Sequence, residues 1–267
     1  IKIFILAHGT EIQKLPFNLF NFYKHYKNNR ISKSFNKADK VIANSSYTKN
    51  LLTKSVNMEP GKIQIIHPGI ELNKNDFDAN VDDSIKKMIN NKSPVLITLA
   101  RLEERKGHKF IIEALAKLKI KYPNILYLIA GNGYYKKNIY EHAKLFNVQK
   151  SIKFLGWVRE PEKTLLLQNS DLFVMTPGYG KESIESFGMV FIDASLNGLA
   201  VIGADNGGIA DAVLDGKTGL LAKTGNVDDI TYKIDSLLSD KKKRDSLGKY
   251  GREYTINRYP WDHKIKE

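Results

Sequence analysis

No cysteine occurs in the chain, which excludes disulfides, thiolate nucleophiles and cysteine-ligated metals and agrees with a reducing, cytoplasmic setting. No uninterrupted apolar run approaches the roughly 18 residues that a membrane-crossing helix needs. The opening IKIFILA is shorter and runs into HGTE instead of a small-residue cleavage site, so it reads as a strand and not as a leader. Arginine-rich tracts and interleaved aromatic-basic platforms are absent too, which leaves single-stranded nucleic acid without its usual stacking surface. Asp82-Asp83 falls in a polar stretch and Asp228-Asp229 at a helix start, so neither makes a convincing pair for a divalent cation.

What remains is a globular chain of 267 residues, 42% of them hydrophobic, enough for one large domain or two ordinary ones. The net charge of +13 favours anionic partners, phosphorylated small molecules or an acidic membrane face, although most lysines are scattered over solvated helix faces. Strand-like runs alternate with helical ones, the pattern of βαβ units around parallel sheets. Strands are expected at 2–7, 40–43 and 62–66, then at 94–100, 125–130, 152–155, 172–175, 200–203 and 219–222. The helices between them include an aromatic-rich one near 17–37, one capped by Ser45 or Ser46, one over 108–121 with Ile111, Ile112, Leu115 and Leu118 at helical spacing, and one over 228–238. From Lys241 the chain is helical, with a break at Pro260. His67-Pro68-Gly69 stops the first alternation, and the polar run 72–80 marks an interdomain linker. The second part is a complete doubly wound α/β domain and the first only the rear half of one. The chain also opens on Ile1, not Met, and the front of that first domain is expected to lie outside it.

Ligands bind such sheets beyond the carboxyl ends of the strands, so function is read from the loops that follow them. The stretch ESFGMVFID carries Glu185 and Asp193 on either side of Gly188, which falls at a helix start. Unpaired N–H groups there suit a phosphate, and a glycine lets it approach the backbone. Glu185 precedes the helix and can face a ligand, while Asp193 lies about one turn in, on the face of Met189. Acids near a helix start are more often mere dipole partners. Arg101 and Lys106 follow the 94–100 strand. A guanidinium fork and a point charge can neutralise a diphosphate, or can form loop ion pairs with Glu103 or Glu104. Gly131-Asn132-Gly133 makes a tight turn but lacks the third glycine of the dinucleotide fingerprint. Gly156-Trp157-Val158-Arg159 offers backbone to edge a base, and Gly207-Gly208 again places glycine before a helix. Five such loops at one sheet edge say more than any one of them.

In this order and spacing, RLEERKG, GNG, FLGWV, ESFGMVFIDA and GGIADAV resemble the nucleotide-sugar domain of the retaining glycosyltransferases with a GT-B fold, the large family-four group. HGTE and HPGIE resemble that family's amino-terminal domain. The most specific piece is the acid-x7-acid pattern, here Glu185 and Asp193. The resemblance implies an α/β chain of two Rossmann-like units: 1–72 the rear of the acceptor-side domain, 73–252 the donor domain, and 253–267 a last helix, with Trp261, crossing back to brace the first. It implies that Arg101 and Lys106 bind the donor diphosphate and stabilise it as it departs. Glu185 would contact the sugar hydroxyls and Asp193 the ribose. Gly188, Met189 and Val190 would give backbone amides to the phosphate, with Gly131 and Gly133 in the turn facing the donor. Gly207 and Gly208 would lie against the sugar, Val158 and Arg159 beside the base, and His8 would face the sugar from the other domain.

The implied activity is transfer of a hexose-type sugar, with retention and without a metal or other cofactor, from a UDP- or GDP-sugar to a hydroxyl of a lipid-linked or envelope glycan. The implied setting is cytoplasmic and peripheral at the inner membrane, with no nucleic-acid partner. Cleavage develops positive charge on the anomeric carbon and negative charge on the diphosphate, so fixed cations and helix amides favour the transition state. Glu185 is not assigned as a covalent nucleophile. Two departures matter: Asp193 is one methylene shorter than the usual glutamate, so its ribose contact is longer or water-mediated, and without the front of the first domain the acceptor is unreadable. Rival classes are a glycoside hydrolase, in which the phosphate features have no purpose; a sugar phosphorylase, whose cofactor lysine is not identifiable; and a non-catalytic nucleotide or nucleic-acid binder.

Overall fold

A computed structural model describes residues 2–9, 32–72, 87, 89, 93–178 and 184–264. Two parallel sheets organise them. The first contains β1 (Phe4–Ala7), β2 (Lys40–Ala43) and β3 (Ile63–Ile65), in that spatial order. Helix α1 (Ser46–Val56) connects β2 to β3. Ser45 is its N-cap, with extended backbone and a hydroxyl that accepts from the Thr48 N–H at 3.1 Å. Ala7, Val41, Ala43, Leu52, Val56 and Ile63 form a small core beneath this sheet.

The second sheet holds β4 (Val95–Leu99), β5 (Leu126–Ala130), β6 (Ile152–Gly156), β7 (Leu172–Val174), β8 (Val201–Ala204) and β9 (Gly219–Ala222). Their spatial order is β6-β5-β4-β7-β8-β9, all parallel. The chain therefore starts in the middle, winds to one edge, returns and winds to the other, with its switch point between β4 and β7. Every residue of β4, β5, β7 and β8 is buried, because helices cover both faces. That is why these strands read as unbroken apolar runs and not as alternating ones.

The period of two still sorts their side chains. Ile97, Leu99, Leu128 and Phe173 face one core with helices α4 (Glu162–Gln168) and α5 (Met189–Leu196). Leu96, Tyr127, Ile129 and Val174 face the other, with α2 (His108–Leu118), α3 (Lys136–Leu145) and α7 (Val227–Ser239). Between β8 and β9 lies the short α6 (Ile209–Ala212). The chain closes with α8 (Lys241–Arg258) and α9 (Trp261–Lys264).

All nine expected strands are present, and the break at Pro260 separates α8 from α9. The helix expected over 108–121 stops at Leu118. Of the aromatic-rich helix expected near 17–37, residues 32–37 are helical and the remainder lies outside the described residues, as do 73–80 of the expected linker and Asp82-Asp83. Helix α8 runs unbroken across 252–253. Beyond it the chain returns to the first sheet's connections: the Ile70 N–H donates to the Tyr259 carbonyl at 2.8 Å and the Trp261 N–H to the Ile70 carbonyl at 3.1 Å. The Trp261 ring lies so close over Gly69 that a Cβ there would come within 2.5 Å of it. Among the described residues no helix is long and apolar enough to cross a membrane.

Candidate active site

The loops after β4 and β7, on either side of the switch point, meet through an ion chain. Arg101 Nη1 lies 3.2 Å from Glu103 Oε1, and Arg105 Nε 2.8 Å from Glu103 Oε2. Arg105 Nη1 reaches Glu185 Oε2 at 3.3 Å, and Lys106 Nζ reaches the same oxygen at 2.5 Å. Burial of Lys106 is tolerated because its charge is paired. Burial works against the ionised form of Glu185, but Lys106 and then Arg105 outweigh it and hold the carboxyl below the usual glutamate range. The two loops come this close because Gly107, at φ 78°, lacks a side chain: a Cβ would stand 1.8 Å from the Thr176 carbonyl oxygen.

Arg101 is largely exposed and takes the alternative partner, Glu103. The cation beside Lys106 is Arg105. A tight turn over Glu104–Lys106 carries both side chains to Glu185, and the adjacent Arg-Lys before a glycine was the available signal.

Gly188 is the N-cap of α5, at φ 94° and with no side-chain cap. Met189 and Asp193 line one cavity from a shared helix face, as their spacing predicts. A second cavity, of about 460 Å³, is lined by Arg101, Gly131, Val158, Arg159, Val190 and Asp193 among others. The loops after β4, β5 and β6 and the first turns of α5 thus open into one space. Gly133 instead packs beneath the loop after β4, where a Cβ would meet the Leu102 carbonyl oxygen at 2.3 Å.

Lys163 of α4 completes the cavity wall and escaped the sequence reading. Its Nζ lies 2.9 Å from Glu160 Oε1 and 3.4 Å from Asp193 Oδ2. Burial pushes the Asp193 carboxyl above the usual aspartate range, and Lys163 only partly offsets that.

Gly207 and Gly208 lie against the backbone of the acid loop: the Gly208 N–H donates to the Glu185 carbonyl at 2.9 Å, and a Cβ on Gly207 would stand 2.2 Å from that oxygen. His8 follows β1 and is exposed. The next residue, Gly9, is close enough to the acid loop that a Cβ there would lie 3.3 Å from Ser186 Cβ, so the loop after β1 meets the acid loop. His67 and Asp211, not singled out from the sequence, also join the two sheets, with His67 Nε2 3.1 Å from Asp211 Oδ2. Among the described residues no three His, Asp or Glu side chains gather as metal ligands would.

A doubly wound sheet with a clamped carboxylate at its switch point, facing a second parallel sheet, has the architecture of a GT-B glycosyltransferase. Residues 81–254 match the glycosyl transferases group 1 family and residues 1–74 the glycosyltransferase family 4 domain. The chain belongs to the glycosyl transferases group 1 family. It is 28% identical over 230 residues to a GDP-mannose-dependent alpha-(1-6)-phosphatidylinositol monomannoside mannosyltransferase of Mycolicibacterium smegmatis, covering 85% of this chain and 60% of that protein. It is 32% identical over 173 residues to a sulfoquinovosyl transferase of Arabidopsis thaliana, covering 64% of this chain and 31% of that one. Its fold is that of Anabaena HepE, solved in complex with UDP and glucose: the TM-score is 0.81 at 21% identity, over 99% of this chain and 69% of that one. The chain thus spans about 60% of the length of the mycobacterial relative.

Proposed function

We propose that the chain forms the donor-binding part of a retaining, metal-independent hexosyltransferase that uses a nucleoside-diphosphate sugar. The observation that carries this reading is the Glu185 carboxylate held by Lys106 and Arg105 beside the uncapped start of α5. In this reading the nucleoside occupies the cavity between Arg101 and Asp193, with Val158 and Arg159 at its base and Asp193 at its ribose. The diphosphate lies on the amides of Gly188, Met189 and Val190 and draws on Lys106, Arg105 and Arg101, while Gly131 and Gly133 shape the turn beside it. Glu185, with His8 opposite, holds the sugar; Gly207 and Gly208 support Glu185 from below.

As the bond between the anomeric carbon and the diphosphate oxygen breaks, the electron pair leaves with the diphosphate, where cations and amides stabilise it. The acceptor hydroxyl attacks from the same face and passes its proton to a phosphate oxygen, which retains configuration. Glu185 is a poor covalent nucleophile, because one of its oxygens already accepts from two cations. The phosphatidylinositol-linked substrate in the mycobacterial relative's name and the net charge of +13 support a lipid-linked or envelope-glycan acceptor at the cytoplasmic face of an anionic membrane.

Thermal-shift titration with UDP, GDP, ADP and their sugars tests the reading, since a ligand that binds only the native state raises its melting temperature. A nucleoside diphosphate should stabilise the chain. No response to any of them, together with salt-dependent retention of DNA, would replace it by a nucleic-acid binder.

A further inference from the structure

Asp211, on the short α6, is tied to the first sheet through one carboxylate oxygen. Its Oδ2 accepts from the Ser46 backbone N–H at 2.5 Å and lies 3.1 Å from His67 Nε2. Ser46 opens α1 and His67 follows β3, so both donors belong to connections of the first sheet. Its backbone is anchored as well, with the carbonyl accepting from the Tyr259 hydroxyl at 3.0 Å and the N–H donating to the Gly208 carbonyl at 3.1 Å.

From this junction the acid loop is held at three consecutive residues. The Gly208 N–H donates to the Glu185 carbonyl at 2.9 Å, and Asn44 Nδ2 donates to Ser186 Oγ at 3.3 Å. The His67 ring stacks on Phe187 with centroids 5.2 Å apart and planes inclined by 22°. Tyr259 meets the Phe187 ring edge-on at 5.9 Å. No slack is left in the assembly: a Cβ on Gly208 would stand 1.9 Å from the Ser186 carbonyl oxygen and 2.9 Å from Ser45 Oγ.

We propose that His67 and Asp211 form a brace between the two sheets that positions the loop of Glu185 for the sugar of the donor. They are positioning residues, acting through Phe187 and the Glu185 backbone. This rests on the donor-site reading above and adds to it a division of labour. The walls of the nucleoside cavity come from the loops after β4, β5 and β6 and from α5, whereas the brace acts on the carboxylate that the reading assigns to the sugar. Loss of the brace should then weaken recognition of the sugar and spare recognition of the nucleoside diphosphate.

Calorimetric titration of the chain with UDP, UDP-glucose, GDP and GDP-mannose tests this on three variants. His67→Phe keeps a ring on Phe187 and loses the donor to Asp211; His67→Gln keeps a donor and loses the ring; Asp211→Asn removes the charge that both donors share. In His67→Phe and Asp211→Asn the ratio of sugar-nucleotide to diphosphate affinity should fall by about tenfold, the scale of one or two lost charge-assisted hydrogen bonds, with diphosphate affinity held within about twofold. His67→Gln should recover most of the ratio. An unchanged ratio overturns the proposal, and so does an equal loss for both ligands accompanied by a lowered melting temperature, which marks a purely structural contact. Failure of the unaltered chain to bind either diphosphate overturns the donor-site reading itself and the brace with it.

Discussion

Lys106 and Glu185, 79 positions apart in the chain, meet at 2.5 Å, and Arg105 shares the same carboxylate oxygen. In the proposed function the carboxylate neutralises the cations that an incoming diphosphate needs, so ligand and Glu185 compete for them. Glu185→Gln leaves Lys106 and Arg105 without their anion. The unliganded variant should lose about 1–3 kcal/mol in urea unfolding. A nucleoside diphosphate should restore that loss, and its melting-temperature gain should exceed that of the unaltered chain. A smaller gain in the variant would show that the cations do not face the phosphate.

Two glycines separate steric from conformational constraint. Gly198 follows α5 at φ 76° with nothing within 4 Å of a Cβ, whereas a Cβ on Gly208 would strike the Ser186 carbonyl oxygen. Gly198→Ala should cost only the left-handed strain, about 1 kcal/mol, and leave nucleotide binding unchanged. Gly208→Ala must move the acid loop, should cost at least about 2 kcal/mol and should weaken sugar-nucleotide binding. Urea unfolding and calorimetry on the pair decide it, and equal costs would contradict the packing described.

The central strands were legible because a parallel strand buried on both faces is a short, largely apolar run, as VLITL in β4 and LYLIA in β5 are. Ser45 could be read as a cap, and the loops could be read as functional because they follow strands. What escaped depended on contacts between distant segments. His67 and Asp211 lie 144 positions apart, and nothing local to HPG or GGIAD says that they meet. Arg101 and Arg105 are both plausible phosphate ligands in RLEERKG. Only the tight turn over Glu104–Lys106 decides that Arg105 turns toward Glu185 while Arg101 remains with Glu103. Lys163 is the single lysine of α4, and its approach to Asp193 exists only once α4 packs against α5.

Beneath the site, His108 makes a pH-dependent contribution of known sign. The Thr98 hydroxyl donates to the Val174 carbonyl, so the Tyr127 hydroxyl, 2.8 Å away, must donate to Thr98 and accept from His108 Nδ1–H at 2.9 Å. That leaves Nε2 as a bare lone pair, buried without a partner. Burial, with Lys106 nearby, pushes the His108 pKa down to about 3 from 6.5. In the unfolded chain the imidazole protonates below 6.5 while the folded one stays neutral, so stability is present above that pH and lost as pH falls toward 3. The loss approaches about 1.4 kcal/mol per pH unit. Between pH 6 and 4.5 the unaltered chain should lose about 2 kcal/mol more than His108→Gln. Parallel unfolding curves would mean that His108 is already protonated in the fold.

Asp193 responds in the opposite sense. Burial raises its pKa, and Lys163 at 3.4 Å is the chief group restraining that rise. A raised folded pKa gives stability that is complete below the unfolded value of about 3.8 and is lost as pH rises through the folded value. Removing the ammonium in Lys163→Met lifts the Asp193 pKa further, so the carboxyl stays protonated to higher pH. If Asp193 accepts from a ribose hydroxyl, affinity for UDP or GDP should weaken as pH is lowered, and in Lys163→Met that weakening should set in at a higher pH than in the unaltered chain. Asp193→Asn, which cannot titrate, should be weak and flat throughout. Lys163→Met affinities that fell by the same factor at every pH would show that Lys163 acts on the ligand directly and not through Asp193.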